Sequence, residues 1–95
     1  MTYRLSRRAR LDILALWSYI AEQNPVAADG VVDRLTSQFQ LLGDHPYAGR
    51  AREDLRHGYR TLAAGQYVIF YKVSQSFVSI VRVLHGRRDV GSTIR

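Results

Sequence analysis

Six side chains in the second half of the chain are of the types that phosphoryl chemistry uses: Arg60, Arg82, His57, His85, Arg87 and Arg88. Cleaving RNA through its 2′-hydroxyl needs a base, an acid and fixed cations for the charge that develops on the phosphorane. Arg60 and Arg82 suit the role of cations, and His57 or His85 exchanges protons near neutral pH. The same residue types also serve plain binding, because arginine's planar fork grips carboxylate or phosphate without any reaction. The densest stretch, IVRVLHGRRD from Ile80 to Asp89, carries Arg82 in mid-strand and runs into His85, Arg87 and Arg88. It reads either as a reaction centre or as a grip on an acidic partner. Other chemistries have no counterpart in the sequence. There is no phosphate-binding glycine loop and no serine in a nucleophile-elbow context, and the adjacent Glu53 and Asp54 are flanked by arginines. The three histidines match no metal spacing and cysteine is absent, so neither a metal nor another cofactor is expected.

The charge is unevenly spread. Residues 1–48 hold five arginines and five acids, whereas residues 49–95 hold eight arginines, one lysine and three acids, so the whole net charge of +6 lies in the second half. That distribution points to an acidic macromolecule as partner. A chain of 95 residues makes one domain with a modest core, part of which can lean on a partner. Asp12 interrupts the apolar run that follows the N-terminal arginines, so no signal peptide is expected, and no run approaches the ~18 apolar residues of a membrane span. The lack of cysteine fits a reducing cytoplasm.

The elements that must position these side chains follow from periodicity. Tyr3 to Ser6 reads as a short strand with Ser6 as an N-cap. Ala9, Ile13, Leu16, Trp17 and Ile20 fall on one stripe, which Leu14 and Ala21 widen, and predict a helix from Arg7 to about Glu22, with Arg8 and Asp12 paired at i,i+4 on the opposite side. Asn24 and Pro25 start a second helix, whose stripe is Ala28, Val31, Leu35, Phe39 and Leu42 and which Gly43 ends. So short a joint makes an antiparallel helical hairpin. Asp44 to Gly58 has no period and reads as a long loop. Strands then run from Tyr59 to Ala64, Tyr67 to Ser74 and Phe77 to His85, joined by tight turns. The predicted order is βααβββ, a helical hairpin on a small antiparallel sheet of the α+β class. Strict alternation puts Tyr67, Ile69, Tyr71 and Val73 on one face of the middle strand, opposite Val68 and Phe70. On the last strand it puts Val78, Ile80 and Leu84 opposite Val81 and Val83. Both faces are then apolar, and two helices cover only one, so the other should be covered from outside the chain. The tail from Gly86 has too few apolar residues to pack strongly.

Over nearly its whole length the chain resembles the ParE branch of the RelE/ParE superfamily, the toxin halves of bacterial type II toxin–antitoxin modules. YRLSRRARLDILALWSYI is similar to the family's opening strand and first helix, and HPYAGRAREDLRHGYR to its P-x-x-G loop leading into an arginine-ended strand. YVIFYKV and IVRVLHGRRD are similar to its last two strands, the latter being the most specific. The resemblance implies a single cytoplasmic toxin domain over residues 1–95 that needs no cofactor. Its partner would be a cognate, ParD-like antitoxin whose acidic C-terminal segment orders over Trp17, Phe39, Val68 and Phe70 and gives a toxin–antitoxin hetero-oligomer.

The resemblance implies two possible actions, since ParE-like members poison DNA gyrase and RelE-like members cut mRNA in the ribosome. Arg60 and Arg82 match arginines shared by both branches, and His85 matches the histidine that ends the ParE-like last strand. RelE-like nucleases add lysine, histidine, glutamate or tyrosine groups, the last often near the C-terminus. Here the only lysine is Lys72, in mid-strand, and no tyrosine follows Tyr71. Arginine stabilises charge well but stays protonated and shuttles protons poorly. Gyrase inhibition is therefore the expected action, with Arg87, Arg88 and the tail to Arg95 as target-contact candidates. Ribosome-dependent mRNA cleavage through Arg60, Arg82 and His85 is the alternative, and a binding module without toxicity is the third reading.

Overall fold

The computed structural model describes residues 1–87. Strand β1 (Thr2–Leu5) leads into helices α1 (Arg7–Ala21) and α2 (Pro25–Asp44). Strands β2 (Arg50–Ala51), β3 (Arg60–Ala64), β4 (Tyr67–Val73) and β5 (Phe77–His85) follow. The α+β class and the helical hairpin are as expected, but the sheet has five strands and is mixed. Its order is β1-β5-β4-β3-β2, with β1 parallel to β5 and the other pairs antiparallel. The two-residue β2 inside the expected loop is too short to show a period. The parallel pairing of β1 follows from the extra strand: β2 runs against β1, and the three reversals from β2 to β5 bring β5 round parallel to β1.

Local signals account for the helix starts. The Ser6 hydroxyl accepts from the Ala9 amide at 3.0 Å, and the Asn24 side chain accepts from the Ala27 amide at 3.0 Å, with Pro25 at the first helical position. Each such cap contributes on the order of 1 kcal/mol. Ser6 does more than cap: its amide donates to Ile80 O at 3.0 Å and its hydroxyl donates to Val81 O at 2.8 Å, fastening the β1–α1 turn to β5. The α2 stripe is buried as expected, at Ala28, Leu35, Phe39 and Leu42. The helix continues through Gly43 to Asp44, with His45 as its C-cap.

One irregularity sets the facing of β5. Tyr71 pairs with Ile80 but Phe70 pairs with Arg82, so Val81 is an extra residue bulged out of the ladder. A bulge exchanges the two faces of every residue beyond it. Val83 therefore joins Val78 and Ile80 in the core under the helices, while Leu84 joins Phe70 and Tyr59 in a second cluster on the other face. This corrects the strict alternation expected for the strand. It also corrects the expectation that only an outside partner covers the second face. Leu55, from the turn between β2 and β3, packs on that cluster, and Tyr59 and Phe70 are buried there.

Candidate functional site

The end of β5 past Ile80 extends beyond β1, leaving an open strand edge beside α1. Asp12 of α1 fills it. Its carboxylate accepts from Arg82 Nε and Nη2, both at 2.8 Å, and Oδ2 also accepts from the Val83 amide at 3.0 Å. Both side chains are only 13% exposed. A two-pronged pair with both partners this well shielded, and with an edge amide satisfied as well, is among the strong charge-assisted contacts. The expected Arg8–Asp12 surface pair is thereby corrected: Asp12 serves a residue 70 positions away, and no local signal announces that.

Arg60 is also committed to structure. Its Nη2 donates to Gly49 O at 2.6 Å and to Tyr47 O at 3.2 Å, and its guanidinium lies 5.3 Å from the Tyr47 ring centre. The same loop is held from below by Tyr71, whose hydroxyl accepts from the Gly49 amide at 2.8 Å and donates to Pro46 O at 2.9 Å. This explains the P-x-x-G motif, because Pro46 and Gly49 are the two points gripped by one buried phenol. The motif was visible in the sequence, but its partner Tyr71 was not. Tyr71→Phe should leave the Gly49 amide and the Pro46 carbonyl unpaired and cost roughly 1–3 kcal/mol. Urea unfolding measures it, and a midpoint equal to that of the unsubstituted protein would refute the grip.

The histidines lie apart from these cations. His57 is fully exposed on the turn before β3, with Nδ1 2.9 Å from Glu53 Oε1, a surface contact of small energetic weight. Next to it the Arg52 guanidinium donates twice to Asp54 and holds that carboxyl below the ordinary carboxylate range. His45 caps α2. His85 pairs across the ladder with Tyr67, against whose ring it packs edge-on at 5.6 Å, and its Nδ1 accepts from the Arg87 amide at 3.2 Å. Directly paired residues share a face. By that rule His85 stands with Tyr67 on the helix side, at a cleft of about 590 Å³ that Tyr19, Val31 and Arg34 also line. Arg82 starts from the opposite face, beside Phe70, and Arg60 is two strands away beside Tyr71. The trio Arg60, Arg82 and His85 is not gathered around one point.

The residues expected to meet a partner divide into two kinds. Trp17 is partly exposed, with Nε1 donating to Asp29 Oδ1 at 2.8 Å, and Val68 is half-buried. Phe39 and Phe70 are 2% and 0% exposed, and their place on a bare surface is corrected. Phe39 fills the core between α2 and the sheet, tilted against Tyr3 at 5.4 Å, and Phe70 lies under the chain's own turn. Leu11, which falls on no predicted stripe, is 49% exposed on the outer side of α1 near Trp17, and Leu14, expected to widen the apolar stripe, is 61% exposed beside it and is corrected. Among the target-contact candidates, Arg87 is exposed, whereas Arg88 and Arg95 lie outside the described residues. Among the described residues there is no cluster of potential metal ligands and no helix long and apolar enough to cross a membrane.

Comparison with known proteins places this geometry. Residues 3–90 match the family model described as ParE toxin of type II toxin-antitoxin system, parDE. The chain is 42% identical over 85 residues to Toxin ParE1 of Caulobacter vibrioides, covering 87% of this chain and 86% of that protein. It is 35% identical over 82 residues to Toxin RelE2 of the same organism, covering 85% and 90%. In fold it is similar to a solved chain described as the chromosomal ParDE TA system from P. aeruginosa, with a TM-score of 0.76, 24% identity, and 90% of this chain and 95% of that chain covered.

Proposed function

The chain belongs to the ParE toxin family of type II toxin–antitoxin systems, and from that premise we propose that it acts by inhibiting DNA gyrase and is neutralised by a cognate, ParD-like antitoxin. The observation that carries the choice of gyrase is the state of Arg82. A nuclease would aim this guanidinium at the scissile phosphate, but here it is held by both oxygens of Asp12. Arg60 is held by loop carbonyls, and His85 stands on the other side of the strand from the Arg82 position. Charge stabilisation without a neighbouring proton donor and acceptor gives recognition rather than cleavage. Arg87, exposed at the end of β5, is the described member of the basic segment offered to the target.

The reading sets the antitoxin segment against α1, and its support there is that Leu11, Leu14 and Trp17 stand exposed on successive turns. Exposed apolar side chains grouped in this way suit a segment that orders on binding. The test of the target uses purified protein in two assays. Gyrase supercoiling should stop with broken DNA accumulating, while mRNA on translating ribosomes stays intact. Cleavage of ribosome-bound mRNA with gyrase unaffected would reverse the assignment.

A further inference from the structure

The charges of this molecule are sorted by layer. The five strands carry Arg4, Arg50, Arg60, Lys72 and Arg82 and not one carboxylate. Among the described residues every acid lies on the helices, at the α1 cap or in the turn before β3. The two acids of that turn are already engaged. Glu53 accepts from the Gly58 amide at 2.6 Å and faces His57, and Asp54 is gripped by Arg52. Exposed large apolar side chains follow the opposite rule: six stand on α1 and α2, the others are Met1 and Tyr47, and none of those described is on a strand.

The register places two of the strand cations in one row. Arg4 of β1 and Lys72 of β4 both sit opposite Ser79 of β5. Ser79 lies between Val78 and Ile80, which are both buried in the helix-side core, so the row points away from the helices. Both cations are exposed and each is backed by a ring. The Arg4 guanidinium is 4.2 Å from the Phe77 ring centre, and Lys72 Nζ is 5.5 Å from that of Tyr59. Such stacking fixes a cation's position while leaving its charge toward solvent. Two strand spacings separate the cations, roughly 9–10 Å, with the Ser79 hydroxyl between them as a further donor.

We propose that this outer sheet face binds the phosphodiester backbone of DNA through Arg4, Lys72 and Ser79. The choice of DNA rests on the gyrase reading, since gyrase holds DNA where its inhibitor must act. An acidic protein segment fits less well. Protein docking draws on large exposed apolar anchors, and none of those described stands on a strand, whereas backbone binding to DNA needs fixed cations and hydroxyl donors without them. The protein thus has two unlike surfaces, an apolar one on the helices for a polypeptide and a cationic one on the sheet for nucleic acid.

Fluorescence anisotropy of a labelled 20-base-pair DNA duplex, titrated with the full-length protein at several salt concentrations, tests this. Each phosphate contact adds about 0.9 to the slope of log affinity against log salt. The double variant Arg4→Gln, Lys72→Gln should lower the slope by about two and weaken binding at low salt at least tenfold, with circular dichroism unchanged because both residues are exposed. Arg4→Lys, which keeps the charge, should restore its share of the slope. An unchanged slope in the double variant overturns the proposal. So does tighter binding of an oligoglutamate of equal charge, which would assign the face to an acidic protein, or tighter binding of a single-stranded RNA of the same length. No gyrase is present in this assay. Protein that inhibits gyrase but binds the duplex no differently from the double variant refutes this inference alone. Protein that binds the duplex through these residues but ignores gyrase refutes the proposed function alone.

Discussion

Asp12→Ala should lower the thermal midpoint by on the order of 15 °C, equivalent to roughly 3 kcal/mol in a domain of this size. Three hydrogen bonds converge on that carboxylate, and its removal leaves the Arg82 guanidinium and the Val83 amide without an acceptor at a site that is 13% exposed. Breaking a shielded pair from one side costs more than the pair contributes, because an uncompensated charge remains. Arg82→Ala should cost less, since Asp12 keeps the hydrogen bond from the Val83 amide. A double-mutant cycle separates the two, and a coupling energy within error of zero would show that the pair does not hold α1 to β5. The result bears on function as well. Loss of toxicity in an Arg82 variant has been expected of a catalytic arginine, but here it would accompany loss of stability, so each variant's folded fraction must be measured alongside its activity.

Gly49→Ala is the second large effect, again on the order of 3 kcal/mol, combining overpacking with broken hydrogen bonds. A methyl group at this position would lie 2.5 Å from the Tyr71 hydroxyl and 2.6 Å from Thr61 O. Neither can retreat easily: Tyr71 is 0% exposed and Thr61 is in the middle of a ladder, paired to Arg50 and Phe70. The loop must move instead, and with it the carbonyls that anchor Arg60. Gly43→Ala provides the contrast. Its added methyl meets Met1 O at 2.8 Å, but Met1 is exposed and precedes the first paired residue of β1, so fewer packed groups move with it. Denaturant unfolding of the two variants should therefore differ by at least 1–2 kcal/mol. Equal midpoints would show that the P-x-x-G loop yields as readily as the segment at Met1.

The candidate site was legible in part. Arg60, Arg82 and His85 were identifiable as chemically capable residues, and Pro46 and Gly49 as a motif. Their partners were not, because Asp12 and Tyr71 carry no mark that distinguishes them from any acid on a helix or any tyrosine on a strand. Trp17 is indeed partly exposed, whereas Phe70 reads as a partner contact only if the sheet's second face is bare, and Phe39, on the α2 stripe, is taken up by the chain's own core. The turn around Leu55 has no period, so its power to cover that face could not be inferred.

What the amino-acid order determined by itself is whatever repeats over short spans. Apolar residues three and four apart specified both helices, Ser6 and Asn24 specified where they start, and β-branched and aromatic runs specified β4 and β5. The tertiary structure alone decided the pairing of β1 with β5, the bulge at Val81 and the capture of Arg82 by Asp12. The reason is geometric. A strand's side chains alternate with a period of two, so one inserted residue reverses everything after it, and the place of insertion is set by contacts from the far end of the chain rather than by neighbours in sequence.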